Sequence, residues 1–195
     1  MDVKAWIRAE LELLDQRFAG QIAAHLPAEH WRRVRRGPEG HDEGASVAGM
    51  LWHVTYHHDL ALSTAICDRE PVFATWRDRL GVGHRPVELA ISEAEPADAV
   101  AELDLDALLA YRAEVLAQTG AWLTRVTSHA LDTIPASSRR LEQRAGIRRD
   151  EVGWFHGLWD GKDVGWLVRW ELIGHGHTHL GEMVALRNAL GHSPF

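Results

Sequence analysis

Cysteine is almost missing: Cys67 is the only one in 195 residues. One thiol excludes an intramolecular disulfide framework and any cysteine-rich zinc site. Long apolar runs are missing too. No stretch approaches the roughly 18 uninterrupted apolar residues of a membrane span. The opening MDVKAWIRAELELLD is amphipathic and acidic and lacks the apolar centre of a signal peptide. Positive charge is short, with a net charge of −7, and only Lys4 and Lys162 are lysines among 21 basic residues. Phosphate binding needs a positive face, so nucleic acid is excluded as a main partner. The one counter-current is Arg32-Arg33 with Arg35-Arg36, which reads as a solvated loop face. Repeats and low-complexity tracts are lacking. The simplest account of these absences is a cytoplasmic protein with no nucleic acid and no membrane as partner.

What is present is ordinary in bulk and unusual in two residue types. Hydrophobic residues make up 46% and charged residues 25%, the mixture of a globular chain, and the length suits one domain over residues 1–195. Nine tryptophans are many for this length, and large rings fill space between helices, so most are expected in the core or in a pocket wall. Apolar residues at three- and four-residue steps predict four long helices. The first runs from Val3 to about Leu26 and stops at Pro27; the second spans about Val47 to Arg69, capped by Ser46 and stopped by Pro71. The third spans about Leu105 to Leu131, with Asp104 or Asp106 as cap. The fourth runs from about Trp166 to Leu190, with Gly191 just beyond it. Two long connections, 71–104 and 133–163, separate the later helices. The second is expected to return as an aromatic wall of Trp154, Phe155, Trp159 and Trp166. Four helices with two long connections make an all-α helix bundle.

Histidine is the second unusual type, with thirteen in the chain. His175, His177 and His179 fall in one HGHTH run on the fourth helix. At about 100° per residue, His175 and His179 share a face, and His177 lies about 200° from His175 and points elsewhere. The second helix carries His53, His57 and His58 beside Asp59. His53 with His175 and His179 would offer three imidazoles from two helices, with positions left over for water or a small-molecule substrate, as in catalytic metal sites. Imidazole suits zinc, nickel, iron and copper alike, and zinc, nickel or iron is the expected ion. Glu182, three residues after His179, is the candidate catalytic or outer-shell carboxylate. The plainer alternatives are a His-rich helix end, a polar face for His57, His58 and Asp59, and a surface glutamate at 182.

SVAGMLWHVTYHHD in the second helix and GHGHTHLGEMVALRNALG in the fourth resemble the motifs of the DinB family (DinB/YfiT-like metalloenzymes), in its actinobacterial-type branch. PVFATWRDRLGVG resembles the family's apolar-aromatic segment between helices, so the resemblance covers nearly the whole chain. It implies a four-helix bundle of up-down-down-up order, often a homodimer, with a divalent metal on His53, His175 and His179. The chain departs from the pattern at His57-His58, where relatives often carry Thr-Glu. Relatives of known activity move low-molecular-weight thiols of the bacillithiol or mycothiol type. The resemblance therefore implies a metal-dependent, thiol-dependent S-transferase with a mycothiol-like cofactor. Two other readings stand beside it: a metal-dependent hydrolase with Glu182 or Asp59 as base, and a non-catalytic stress or ligand-binding protein on the same scaffold.

Overall fold

Side-chain caps and apolar periodicity set where the chain turns helical. The computed structural model describes residues 2–36, 42–83, 91 and 97–195. Helix α1 (Val3–Phe18) starts at Asp2, whose carboxylate accepts from the Lys4 amide at 3.0 Å, and it runs on through a π-helical turn at Ala19–Ala23. Helix α2 (Val47–Asp59) is capped by the Ser46 hydroxyl, which accepts from the Gly49 amide at 3.1 Å, and continues as a π-helical stretch, Leu60–Ile66. Among the described residues two short helices follow, α3 (Phe73–Trp76) and α4 (Ala97–Glu102). Helix α5 (Leu105–Arg125) is capped by Asp104, and three short helices come next: α6 (Ser128–Leu131), α7 (Ser137–Arg140) and α8 (Gly153–Trp159). The last long segment begins as α9 (Val164–Leu167), passes through a π-helical stretch, Val168–Gly174, and ends as α10 (His175–Ala189). The architecture is all-α apart from a two-residue antiparallel pair, Arg35–Arg36 with Asp42–Glu43.

The four long helices close a ring, in which α1 packs on α10 and α5, and α2 packs on the same two. Leu14 lies against Gly176 and the Gln21 carbonyl accepts from Arg187, so α1 and α10 run in the same direction. His53 and His57 meet His175 and Glu171 in reverse order, so α2 runs antiparallel to the last segment. That antiparallel seam assembles the histidines. Gly176 permits the close α1–α10 approach: a Cβ there would lie 2.5 Å from the Leu14 Cδ2. Among the described residues, no helix is long and apolar enough to cross a membrane.

Several expectations need correction. The third helix stops at Arg125, not Leu131, because Val126 and Thr127 are extended and the Thr127 hydroxyl caps α6 through the Ala130 amide. The connection 133–163 holds two helices that were not expected, each too short for a periodic signal. Phe155 and Trp159 are buried as anticipated, Trp166 is half-buried, and Trp154 is 56% exposed, which removes it from the wall. Trp6 and Trp170 are also exposed, whereas Trp31, Trp52, Trp76 and Trp122 lie in the core. Arg32 is exposed as the loop reading expects, and its guanidinium also donates to the Val100 and Leu103 carbonyls, which straps the loop to the body. Cys67 is half-buried. The apolar positions Val87 and Leu89 lie outside the described residues, whereas Ile91 is buried.

Candidate metal centre

Three imidazoles from α2 and α10 converge through the same ring atom. The Nε2 of His175 lies 3.1 Å from the His53 Nε2 and 3.0 Å from the His179 Nε2. All three residues are buried, and their ligand atoms lie within 4.8 Å of one another. With metal–nitrogen bonds of about 2.1 Å, edges of 3.0–3.1 Å correspond to N–metal–N angles of roughly 90–95°. The donor set therefore fits one face of a transition-metal coordination sphere.

Hydrogen bonding alone does not account for this triangle. The carboxylate of Glu182 is 2.6 Å from the His179 Nδ1 and can only accept, so that nitrogen carries the proton and the His179 Nε2 presents a lone pair. The His175 Nε2 faces this lone pair on one side and the His53 Nε2 on the other, and a single proton cannot serve both edges. A cation at the centre would satisfy all three. Burial, then the rings of His57, His53 and His179, hold the His175 pKa far below the usual imidazole range, so it offers a neutral ring. Glu182 is exposed at the surface, and its carboxylate lies against the His179 ring that faces the triangle.

His177 faces away, as its angle on the helix predicts. It lies on the α1 side with its Nε2 3.8 Å from Glu10. His156 does not line the centre: it is buried and its Nε2 donates to the Ile147 carbonyl at 3.1 Å, pinning the loop ahead of α8.

His57, His58 and Asp59 are not a polar helix face, because all three are buried. Their partners come from α5, α3 and the π-helical stretch before α10. The Asp59 carboxylate accepts from the Val72 amide (3.0 Å), the Phe73 amide (2.9 Å), Ser63 (2.8 Å) and Tyr111 (2.8 Å). Burial pushes its pKa up, and the four donors pull against that shift. Asp59 ties α2, α3 and α5 together and has no oxygen spare for general-base work.

His58 is closed in similarly. The Thr119 hydroxyl spends its proton on the Val115 carbonyl, so the His58 Nε2–H donates to Thr119 at 2.8 Å. Burial first, and then the Arg112 cation, lower its pKa from 6.5 to about 3. The folded state therefore refuses a proton that the unfolded chain accepts. This contribution to stability is complete above pH 6.5 and is lost as the pH falls toward about 3. The slope is up to about 1.4 kcal/mol per pH unit, and His175 acts in the same direction. Urea unfolding with chelator present should show its midpoint falling steadily below pH 6.5. His58→Gln should flatten that fall; an unchanged slope in the variant would remove His58 from the account.

Sequence reasoning missed Glu171. It is buried in the π-helical stretch, its Oε1 accepts from the Trp159 Nε1 at 2.6 Å, and its Oε2 is 3.1 Å from the His57 Nδ1. Its spacing of four residues before His175 extends the HxxxH pair to ExxxHxxxH, a signal that was available on the helix face. Trp170 stacks near His175 with ring centroids 6.0 Å apart, and Phe155 meets the His57 ring edge at 5.1 Å.

No protein-family model matches the chain, and no curated protein matches it significantly. Among solved structures it is similar to a conserved protein from Enterococcus faecalis, with a TM-score of 0.66 over 98% of this chain and 99% of that chain. The two are 17% identical, so this likeness shows the fold alone: the chain shares its helical architecture, end to end, with that protein.

Proposed function

We propose that this chain is a DinB-family metalloprotein in which His53, His175 and His179 hold one divalent transition metal, zinc, nickel or iron, for chemistry on a small thiol. The observation that carries the reading is the convergence of three buried Nε2 atoms at 3.0–3.1 Å, one of them pre-set by Glu182. A bound divalent ion would supply stabilisation of the thiolate form of a thiol cofactor. The chain's own residues do the rest. Glu182 holds His179 in the tautomer that offers Nε2, burial keeps His175 neutral, and packed aromatic side chains exclude water behind the histidines. Cys67 is not needed as a nucleophile, and burial pushes its thiol pKa up. S-transfer from a mycothiol-like or bacillithiol-like thiol is the reaction class proposed. A cytoplasmic homodimer belongs to the same family reading.

The hydrolase reading has less support, because Glu182 is engaged by His179 and Asp59 is saturated with donors. The test is a conjugation assay with zinc-loaded protein, mycothiol and an alkyl-halide electrophile, monitored as thioether product. The expected outcome is metal-dependent turnover that His179→Ala abolishes. Product formation no faster than in protein-free buffer, with tight thiol binding retained, would replace the enzyme by a binding protein.

A further inference from the structure

His175 has a second ring nitrogen, and its surroundings differ from those of the first. The Nδ1 is buried, has no hydrogen-bond partner among the described residues, and lies 3.6 Å from the Glu171 Oε2. That distance is too long for a hydrogen bond. The same carboxylate oxygen is 3.1 Å from the His57 Nδ1. On its far side, the His57 Nε2 lies 3.1 Å from the Ile91 carbonyl, which can only accept, so this nitrogen carries the ring's proton. In the neutral ring the His57 Nδ1 then presents a lone pair to a carboxylate. Three ligand atoms face one spot: the His57 Nδ1, the Glu171 Oε2 and the His175 Nδ1, the last of which becomes a donor when the ring gives up its N–H proton.

The charge balance points the same way. The Glu171 side chain is fully buried, and among the described residues its ion-pair partners are the two imidazoles, with no lysine or arginine. A buried carboxylate without a cation is costly, so the site calls for positive charge. With bonds of about 2.1 Å, the 3.1 Å and 3.6 Å edges subtend roughly 95° and 118°, within the range of four-coordinate ions. The neutral nitrogens and single carboxylate suit a borderline divalent ion such as zinc or copper, not calcium or magnesium.

We infer that the chain has a second cation station, built from His57 Nδ1, Glu171 Oε2 and His175 Nδ1, and that it joins the first station through the ring of His175. The station offers two nitrogens and one carboxylate oxygen, so it differs in charge and donor type from the three-nitrogen station beside it. With both filled, the His175 ring lies between two cations and has released its N–H proton to solvent. The rival account is a proton on the His57 Nδ1, which would pair His57 with Glu171 and leave room for no second ion. The inference does not require the thiol chemistry proposed above; it shares only His175 with that reading.

The test is metal stoichiometry of the full chain, stripped by chelator and titrated with zinc and, separately, with copper(II). The wild type is expected to bind two equivalents, Glu171→Gln and His53→Ala one each. Two copper ions sharing one ring should also lose the ordinary copper(II) resonance signal through coupling, and Glu171→Gln should restore it. One equivalent that Glu171→Gln leaves in place overturns the second station. One equivalent that Glu171→Gln removes and His53→Ala spares supports it and overturns the first. Far-UV circular dichroism controls for folding. If Glu171→Gln does not fold, His57→Gln takes its place, and two equivalents in that variant would refute the inference.

Discussion

His53→Ala is expected to lose one equivalent of bound divalent metal, with an affinity loss at the three-nitrogen station of more than about 100-fold. Removing a partner that merely orients a ligand costs 10- to 100-fold, and His53 is placed as a ligand itself, 3.1 Å from the His175 Nε2. Two remaining imidazoles, one turn apart on α10, keep a weak site. The readout is metal content after equilibrium dialysis against a competing chelator. Thermal unfolding provides a second. An ion that binds only the folded chain stabilises it by about 2.7 kcal/mol at one hundred times its dissociation constant. Added zinc should therefore raise the wild-type melting temperature well above that of His53→Ala. Equal metal content in the two proteins would remove His53 from the centre and with it the proposed function.

Asp59→Ala is expected to destabilise the fold by about 4 kcal/mol or more. The substitution strands two backbone amides and two hydroxyls in a dry interior, and each unsatisfied buried group costs about 1–3 kcal/mol. The four donors come from Val72, Phe73, Ser63 and Tyr111, on three separate pieces of chain, so no single rotamer change repairs the loss. A domain's whole stability is about 5–15 kcal/mol, so the variant should unfold at low urea or fail to accumulate. Asp59→Asn keeps one acceptor oxygen and should cost roughly half as much. The measurement is the urea midpoint of each variant with chelator present. A loss of under about 1 kcal/mol in Asp59→Ala would mean that the carboxylate is not the tie between α2, α3 and α5, and would reopen a catalytic role for it.

The two variants separate what the long helices and their crossings each contribute. HxxxH on α10 is legible in the chain because helical geometry is local: four residues bring two rings to one face wherever the helix ends up. The cap at Ser46 is legible for the same reason, and of the two candidates for the third helix, Asp104 and Asp106, Asp104 accepts the amide three residues on. Trp154 was misplaced because an aromatic run in a loop carries no period; once α8 forms, Phe155 and Trp159 turn inward and Trp154 outward.

The burial of Asp59 and His58 is not legible along the chain because burial is a property of neighbours. On α2 they are polar residues at a helix end, and only the packing of α5, with Tyr111 and Thr119, makes them interior. Glu171 was passed over for a related reason. A glutamate four residues before a histidine is an ordinary helix pair until a second helix brings His57 against its oxygen and Trp159 against the other.

The sequence by itself determined the all-α class, the helix start set by Ser46, the pairing of His175 with His179 and the outward turn of His177. Each follows from short-range geometry and hydrogen bonding within a few residues. The tertiary structure alone decided that His53 meets that pair and that His57 reaches Glu171 on the other side of His175. Those contacts join residues more than a hundred positions apart. They depend on the antiparallel seam between α2 and the last segment, whose register no local pattern encodes.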